Sequence, residues 1–151
     1  MKRLILFSLV MGGAALAQVE HSARGSGTIQ FAANREHISF SAVQRADGTA
    51  SGNAEIQDIS AGVTVHIEVD CLNVIGNVAT ISGIVTRSSD PTRVPEGFEG
   101  IFQVVDNGEG NDAAPDFMSQ ANFFAVGIGP DCHAPGEIDL APVEHGNVQV
   151  D

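Results

Sequence analysis

The sequence predicts an all-β fold: one domain of antiparallel strands forming a meander that closes as a barrel or as a two-sheet sandwich. Apolar and polar residues alternate at period two along several segments, and no segment shows a period of 3.6 over three helical turns. Glycine, Asp and Asn punctuate these segments at short intervals, as tight turns between neighbouring strands require. Alternation alone does not separate a barrel from a sandwich.

The N-terminal residues 1–17 are predicted to be a secretory signal peptide. Two basic residues precede an apolar stretch, Leu4 to Met11, and Ala15-Leu16-Ala17 follows as a small-residue cleavage site. The stretch is too short to cross a bilayer, and no later segment is long and apolar enough to do so. We therefore expect residues 18–151 to be a secreted, periplasmic or extracellular domain with no membrane insertion.

Strands are predicted where the alternation is strongest, and the turns between them support their order. Asp47-Gly48 and Gly76-Asn77 separate consecutive strands, and both pairs tolerate the positive φ of a tight hairpin. The predicted strands are 27–33, 37–45, 50–57, 62–71, 78–87, 98–106 and 121–128, with a last one at 147–150. The segments without alternation, predicted to be irregular, are 88–97, 107–120 and 129–146.

The alternation also predicts which side chains face the core. In strand 62–71 four aliphatic residues recur in register with Cys71, so Cys71 is expected to face the core. In strand 78–87 the apolar face is interrupted by Gly83. A glycine at such a position leaves room for a neighbouring chain or marks a β-bulge.

Cys71 and Cys132 are the two cysteines of the chain. In an exported protein an even pair predicts a disulfide. The bond closes a loop of about sixty residues, which contributes roughly 4 kcal/mol in the chain-entropy model. A reactive thiol is the alternative, since His133 follows Cys132.

The mature domain is strongly acidic. Loss of Lys2 and Arg3 with the signal peptide leaves five Arg, no Lys and nineteen acids, a formal charge of −14. Nucleic acid and anionic lipid bind through a basic surface, so we predict no nucleic-acid partner. A cationic or divalent-metal partner is compatible with this charge. Trp and Tyr are absent, which disfavours sugar binding by ring stacking, and the sequence leaves the oligomeric state open.

The acidic segment 106–116 is a candidate calcium loop. Its carboxylates lie in a glycine-rich stretch, and hard oxygen ligands of this kind suit Ca²⁺. An EF-hand is excluded because the third and fifth positions counted from the first acid are glycines. The alternative is a long solvated connection between strands. The proposed ligand set is Asp106, Glu109, Asp112 and Asp116.

His66, Glu68 and Asp70 form a second candidate site. Their period-two spacing projects all three from one face of one strand. If that face lines a barrel or a cleft, the three side chains offer an acid–base pair or metal ligands. If the face is exposed to water, they are an ordinary polar surface.

Two functions are compatible with these patterns. The first is an exported, non-enzymatic binding or structural module, which is stabilised by calcium if the acidic loop holds an ion. The alternative is a small secreted isomerase or hydrolase that uses the His66, Glu68 and Asp70 face inside a β-barrel. The sequence contains no nucleophile elbow, phosphate loop, dinucleotide fingerprint, zinc-type Cys/His cluster or haem-attachment motif. The first function is therefore preferred.

Several segments are similar to those of an uncharacterised family of short secreted bacterial proteins. They are HISFSA, GVTVHIEVDCLNVIGNVATISGIVT, FQVVDNGEG and APDFMS, and the resemblance covers most of the mature chain, roughly His37 to Ser119. The strongest marks are Val-x-Cys-Leu-x-Val-x-Gly-Asn at 69–77 and Asp-Asn-Gly-Glu-Gly at 106–110. The family has no established activity. The resemblance therefore implies a freestanding domain with a shared acidic loop and transfers no site residues.

Overall fold

The computed structural model describes residues 17–151, so the predicted signal peptide lies outside the described residues except for Ala17. Within this range the chain forms β-strands and no α-helix, and it offers no helix that could span a membrane. The all-β prediction is confirmed. The strands are β1 (Val19–Phe31), β2 (Asn34–Arg45), β3 (Ala50–Asp58), β4 (Val63–Ile75), β5 (Val78–Ser88), β6 (Glu99–Val105), β7 (Phe117–Met118), β8 (Asn122–Phe124), β9 (Ala141–Pro142) and β10 (His145–Val150).

All strands belong to one antiparallel sheet. Its order is β10-β1-β2-β3-β4-β5-β6-β7-β9, and β8 also pairs with β6. The predicted meander is confirmed for β1 to β6, each of which pairs with the next. The sheet curls into a half-barrel around one core, so that strands distant in the sheet meet inside it. Phe40 of β2 and Phe102 of β6, for example, pack edge to face with ring centroids 5.5 Å apart.

The two predicted hairpin turns are confirmed. Ile75 pairs with Val78 around Gly76-Asn77, and Gly76 has a φ of 62°. Between β2 and β3, Gly48 has a φ of 85°, and the carboxylate of Asp47 accepts hydrogen bonds from the backbone N–H and the hydroxyl of Thr49. Positive φ is the conformation for which glycine is preferred at these two positions.

The predicted orientation of Cys71 is wrong because a β-bulge precedes it. Val69 pairs with Gly83 and Cys71 pairs with Ser82, so Asp70 is an extra residue in β4. An extra residue shifts the alternation by one, which turns Cys71 outward and buries Leu72 completely. Gly83, predicted to leave room for a neighbouring chain or to mark a bulge, lies opposite Val69, immediately before the extra residue of β4.

The backbones of β4 and β5 approach closely at this bulge. A Cβ atom on Gly83 would lie 2.1 Å from the carbonyl oxygen of Glu68. No side chain fits at that distance, so the sequence needs glycine at this point of the sheet.

The strand bounds differ from prediction mainly near the chain ends. β1 begins at Val19 rather than at residue 27, because only Ala23 is buried in its first half and the alternation there is weak. The predicted strand 121–128 is reduced to Asn122–Phe124. The segments 107–120 and 129–146, predicted to be irregular, contain β7 and β9, which are two residues long and therefore show no period.

The predicted disulfide between Cys71 and Cys132 is present, with 6.4 Å between the two Cα atoms. It attaches the segment between β8 and β9 to the outer side of β4. Cys132 is buried, whereas Cys71 is partly exposed. The sulfur bridge thus fixes a segment that has little regular structure of its own.

Candidate functional site

The acidic loop is tied to the C-terminal strand by its carboxylates. Asp116 is buried, and its two oxygens accept hydrogen bonds from the backbone N–H groups of Asn107 (2.9 Å) and Val148 (2.8 Å). Asp106 likewise accepts from the backbone N–H groups of Gly108 (2.8 Å) and Val150 (3.0 Å). The two carboxylates thus accept hydrogen bonds from backbone N–H groups of β10 that have no neighbouring strand as a partner.

The other two predicted calcium ligands lie elsewhere on this loop. Glu109 accepts a hydrogen bond from the side-chain amide of Asn147 at 2.8 Å, and Asp112 is exposed. Within residues 17–151 no group of three or more His, Cys, Asp or Glu side chains is arranged to hold a metal ion. The four acids therefore do not converge on one point, and calcium binding by them stays a prediction.

His66 and Glu68 line an open groove on the outer face of β2 to β5. The groove has a volume of about 810 Å³ and is lined mainly by polar side chains, among them Ser39, Asn53, Glu55, His66, Glu68 and Arg87. The face predicted from the period-two spacing thus exists, but it lies outside the curled sheet. Its polar groups are accessible to bulk solvent rather than enclosed in an apolar cavity.

The imidazole of His66 lies between the guanidinium of Arg87 and the carboxylate of Glu55. Its Nε2 lies 2.9 Å from Nη2 of Arg87 and 3.5 Å from Oε2 of Glu55. Arginine only donates, so Nε2 is the acceptor in the shorter contact. The nitrogen that would act as a general base is therefore already accepting a hydrogen bond.

Asp70 is separated from His66 and Glu68 by the bulge that it forms. It lines a second depression with Glu99, His133 and the disulfide. Desolvation raises the pKa of Asp70, and the negative charge of Glu68 raises it further. The predicted triad is thus divided between two depressions: His66 and Glu68 line the groove, and Asp70 lines the other.

A pocket that the sequence analysis missed lies at one end of the curled sheet, between β2, β3, β4 and the segments before β6 and β8. We call it the end pocket; its volume is about 230 Å³. Its polar lining residues are Asn34, Glu36, Asp58, Arg93 and Gln120, and its apolar ones are Ile56, Val63, Val65, Val94, Ala121 and Phe123.

Glu36 is the buried acid of this pocket. It lies on the core-facing side of β2 with Ile38 and is 7% exposed. Its Oε1 accepts a hydrogen bond from the backbone N–H of Ala121 at 2.9 Å, and no described residue donates to Oε2. Since no fully inaccessible side-chain oxygen or nitrogen lacks a partner in residues 17–151, Oε2 keeps some exposure to solvent, and Glu36 is one of the residues that line the pocket.

The surroundings of Glu36 favour its neutral form. Burial raises its pKa from 4.5 to about 7; the Ala121 N–H opposes this, and the charge of Asp58 adds to it. Asp58 is the directly opposite residue on β3. Arg93, which also lines the pocket, is exposed and lies close enough to Asp90 to interact with its charge. The pocket thus contains a carboxyl that changes charge near neutral pH.

One signal in the sequence points to Glu36. The predicted strand 37–45 begins three residues later than β2, and continuing its alternation backwards by one residue places Glu36 on the same side as Ile38 and Phe40. An acid in the apolar register of a strand is unusual, because burial of a charge is costly without a partner. Asp58, Arg93 and Ala121 could not have been assigned to the same pocket without the fold.

Comparison of the chain with protein-family models, with curated proteins and with solved structures finds no match. A function for this chain is therefore inferred from its own geometry.

Proposed function

We propose that the protein is an exported, non-enzymatic binding module that holds a small ligand in the end pocket. The observation that carries this proposal is Glu36, a nearly buried carboxyl that lines the end pocket and whose Oε2 has no donor among the described residues. Small-molecule sites usually combine apolar walls with a few convergent polar groups, and the end pocket has both. The high negative charge of the domain supports a cationic partner and argues against nucleic acid.

A closed barrel is the architecture we infer for this module. Two residues separate β9, which pairs with β7, from β10, which pairs with β1. The backbone N–H of Val143 donates to the carbonyl of Asp116 (2.8 Å), and that of Glu144 donates to the carbonyl of Thr28 (2.9 Å). These bonds support a segment that joins both edges of the sheet, as a barrel requires and a sandwich does not.

Export is supported by the disulfide. Disulfides persist in oxidising compartments and are rare in the cytosol. Together with the N-terminal pattern of residues 1–17, the Cys71–Cys132 bond favours a secreted, periplasmic or extracellular location.

Fragment screening by NMR tests the binding function. We expect ligands to shift the backbone amide signals of Ala121, Val63 and Val94, which line the end pocket. Ala121→Leu fills the pocket while keeping the N–H that bonds Glu36, so it should abolish these shifts. Ala114→Leu, in the exposed acidic loop, is the control. If no fragment perturbs the pocket amides of the unaltered protein, the proposal is wrong.

Calcium stabilisation through the acidic loop is a subsidiary proposal. Glu109 and Asp112 are exposed and leave oxygens for an ion, whereas Asp106 and Asp116 are engaged with the backbone of β10. Calorimetric titration of the secreted protein with calcium tests it. Absence of heat and an unchanged melting temperature would remove calcium from the function.

The second candidate function is a small secreted isomerase or hydrolase. It is favoured by the pKa of Glu36 of about 7, since a carboxyl tuned to neutral pH both accepts and donates protons efficiently. Its acid–base group would be Glu36 rather than the His66, Glu68 and Asp70 set. NMR spectra of a bound fragment separate the two functions. A ligand that is chemically unchanged after days supports binding, and one that is converted supports the enzyme.

A further inference from the structure

We propose that the ligand of the end pocket is a small monocation with a short apolar body, an alkylammonium, whose charge pairs with Glu36 and displaces the proton of that carboxyl. This inference rests on the proposed binding function and names its ligand class. It depends on three features of the pocket: its charges, its unused hydrogen-bonding capacity and its apolar lining.

The charges around Glu36 favour a cation. β3 contributes Asp58 directly opposite Glu36, and the segment before β6 contributes Arg93 at the mouth. β1 contributes Ile29, which is apolar, and the segment before β8 contributes only an amide side chain and a backbone N–H. With both acids ionised, the pocket has two negative charges and one exposed positive charge.

Hydrogen bonding favours an ammonium group. Oε2 of Glu36 receives no donor from the described residues, so in the ionised form it is free to accept a hydrogen bond from a ligand. An alkylammonium offers three donors and no acceptor. A carboxylate ligand would bring only acceptors towards Glu36 and Asp58, and an alcohol would bring no charge to pair with them.

The apolar lining limits the rest of the ligand. Val63, Val65, Val94 and Phe123 cover the walls with aliphatic side chains and one aromatic ring. A single ring does not form the aromatic cage that quaternary ammonium groups prefer. The pocket therefore suits a primary ammonium on a short hydrocarbon chain, which buries its methylene groups against the valines.

Binding exchanges one proton with the solvent. The ligand enters as the ammonium ion and keeps all its bonds, while the Glu36 carboxyl loses its proton to the buffer. Since Glu36 changes from about one-tenth to about nine-tenths ionised between about pH 6 and about pH 8, affinity should rise about tenfold over that range.

The test uses the secreted protein and three ligands of equal carbon number: n-butylammonium, 1-butanol and butyrate. The amide signal of Ala121, whose N–H donates to Glu36, reports ionisation of the carboxyl during a pH titration. Saturating n-butylammonium should lower the midpoint of this titration by about one pH unit or more. Glu36→Gln should abolish the titration and the pH dependence of binding, whereas Glu55→Gln, in the outer groove, should change neither.

The outcomes separate this inference from the proposed function. If 1-butanol or butyrate binds the pocket more tightly than n-butylammonium, or if n-butylammonium binds without moving the Ala121 midpoint, the ligand class is wrong and the binding function stands. If none of these ligands and no screened fragment perturbs the pocket amides, both proposals fail.

Discussion

Glu36 makes the folding free energy depend on pH. Its pKa is raised from 4.5 to about 7, mainly by burial, so the folded state binds the proton more tightly than the unfolded chain. The stability it contributes is fully present below about pH 4.5 and is lost as pH rises through about 7. At pH values above neutral, the contribution of Glu36 to the free energy of unfolding is lower by about 3 kcal/mol than at acidic pH.

Glu36→Gln should therefore stabilise the protein at alkaline pH. The amide is uncharged and keeps an oxygen for the Ala121 N–H, so we expect the free energy of unfolding to rise by up to about 3 kcal/mol at pH 8 and to change little at pH 4. Urea unfolding at the two pH values measures the difference. Glu55→Gln is the matched control on the outer face, and equal effects of Glu36→Gln at both pH values would contradict the prediction.

The orientation of Cys71 is a residue-scale feature that the sequence pattern did not predict correctly. The alternation of strand 62–71 correctly placed its aliphatic residues inside, but it assigned Cys71 to the wrong face. The bulge at Asp70 arises from pairing with β5, where Gly83 lets the two backbones approach. Such a long-range cause is not visible in the pattern of one strand.

At the scale of the element, the acidic loop substitutes for a neighbouring strand. The N–H groups of Val148 and Val150 point away from β1, and the carboxylates of Asp116 and Asp106 accept their hydrogen bonds. A sheet edge otherwise presents such groups unpaired. The loop thus covers the edge of β10 with side chains rather than with backbone.

Asp116→Asn should destabilise the protein. The amide nitrogen cannot accept a hydrogen bond, so the N–H of Asn107 or of Val148 loses its partner in a buried position, at a cost of about 1–3 kcal/mol. Asp112→Asn, at an exposed site of the same loop, should change stability by less than about 0.5 kcal/mol. Urea unfolding compares the two variants, and hydrogen exchange should accelerate at Asn107 or Val148 in Asp116→Asn but at neither residue in Asp112→Asn. Equal losses would show that loop charge, rather than the hydrogen bonds, is responsible.

The strands that the sequence predicts best are long and end at turns with a recognisable glycine. β2, β3 and β4 alternate and are each followed by a glycine-containing turn, which is sufficient to predict them. The turn between β1 and β2 uses Ala32 with a φ of 49°, a conformation that alanine does not signal. β7 and β9 form only because β6 and β7 offer an edge to pair with.

At the scale of the whole molecule, the disulfide joins the regular sheet to the irregular segment before β9. The sheet has its own core of buried aliphatic residues from β1 to β6 and β10. The Cys71–Cys132 bond therefore stabilises the fold mainly by restricting the unfolded chain.

Replacing both cysteines, Cys71→Ser with Cys132→Ser, should lower the free energy of unfolding by roughly 4 kcal/mol. Circular dichroism should still report a β-rich chain if the remaining stability suffices, because the core does not depend on the sulfur atoms. Urea unfolding of the oxidised protein and of the double variant gives the difference. A loss below about 1 kcal/mol would indicate that the unfolded chain is already restricted near these residues.

The last strand is joined directly to the opposite end of the sheet, since two residues separate β9 from β10. Proteolytic removal of residues 141–151 would uncover β1 and β7 in a single event. Two bare edges on one molecule permit head-to-tail addition of further copies. Cleavage of this C-terminal segment by a protease would thus produce a domain that can polymerise through its exposed strand edges.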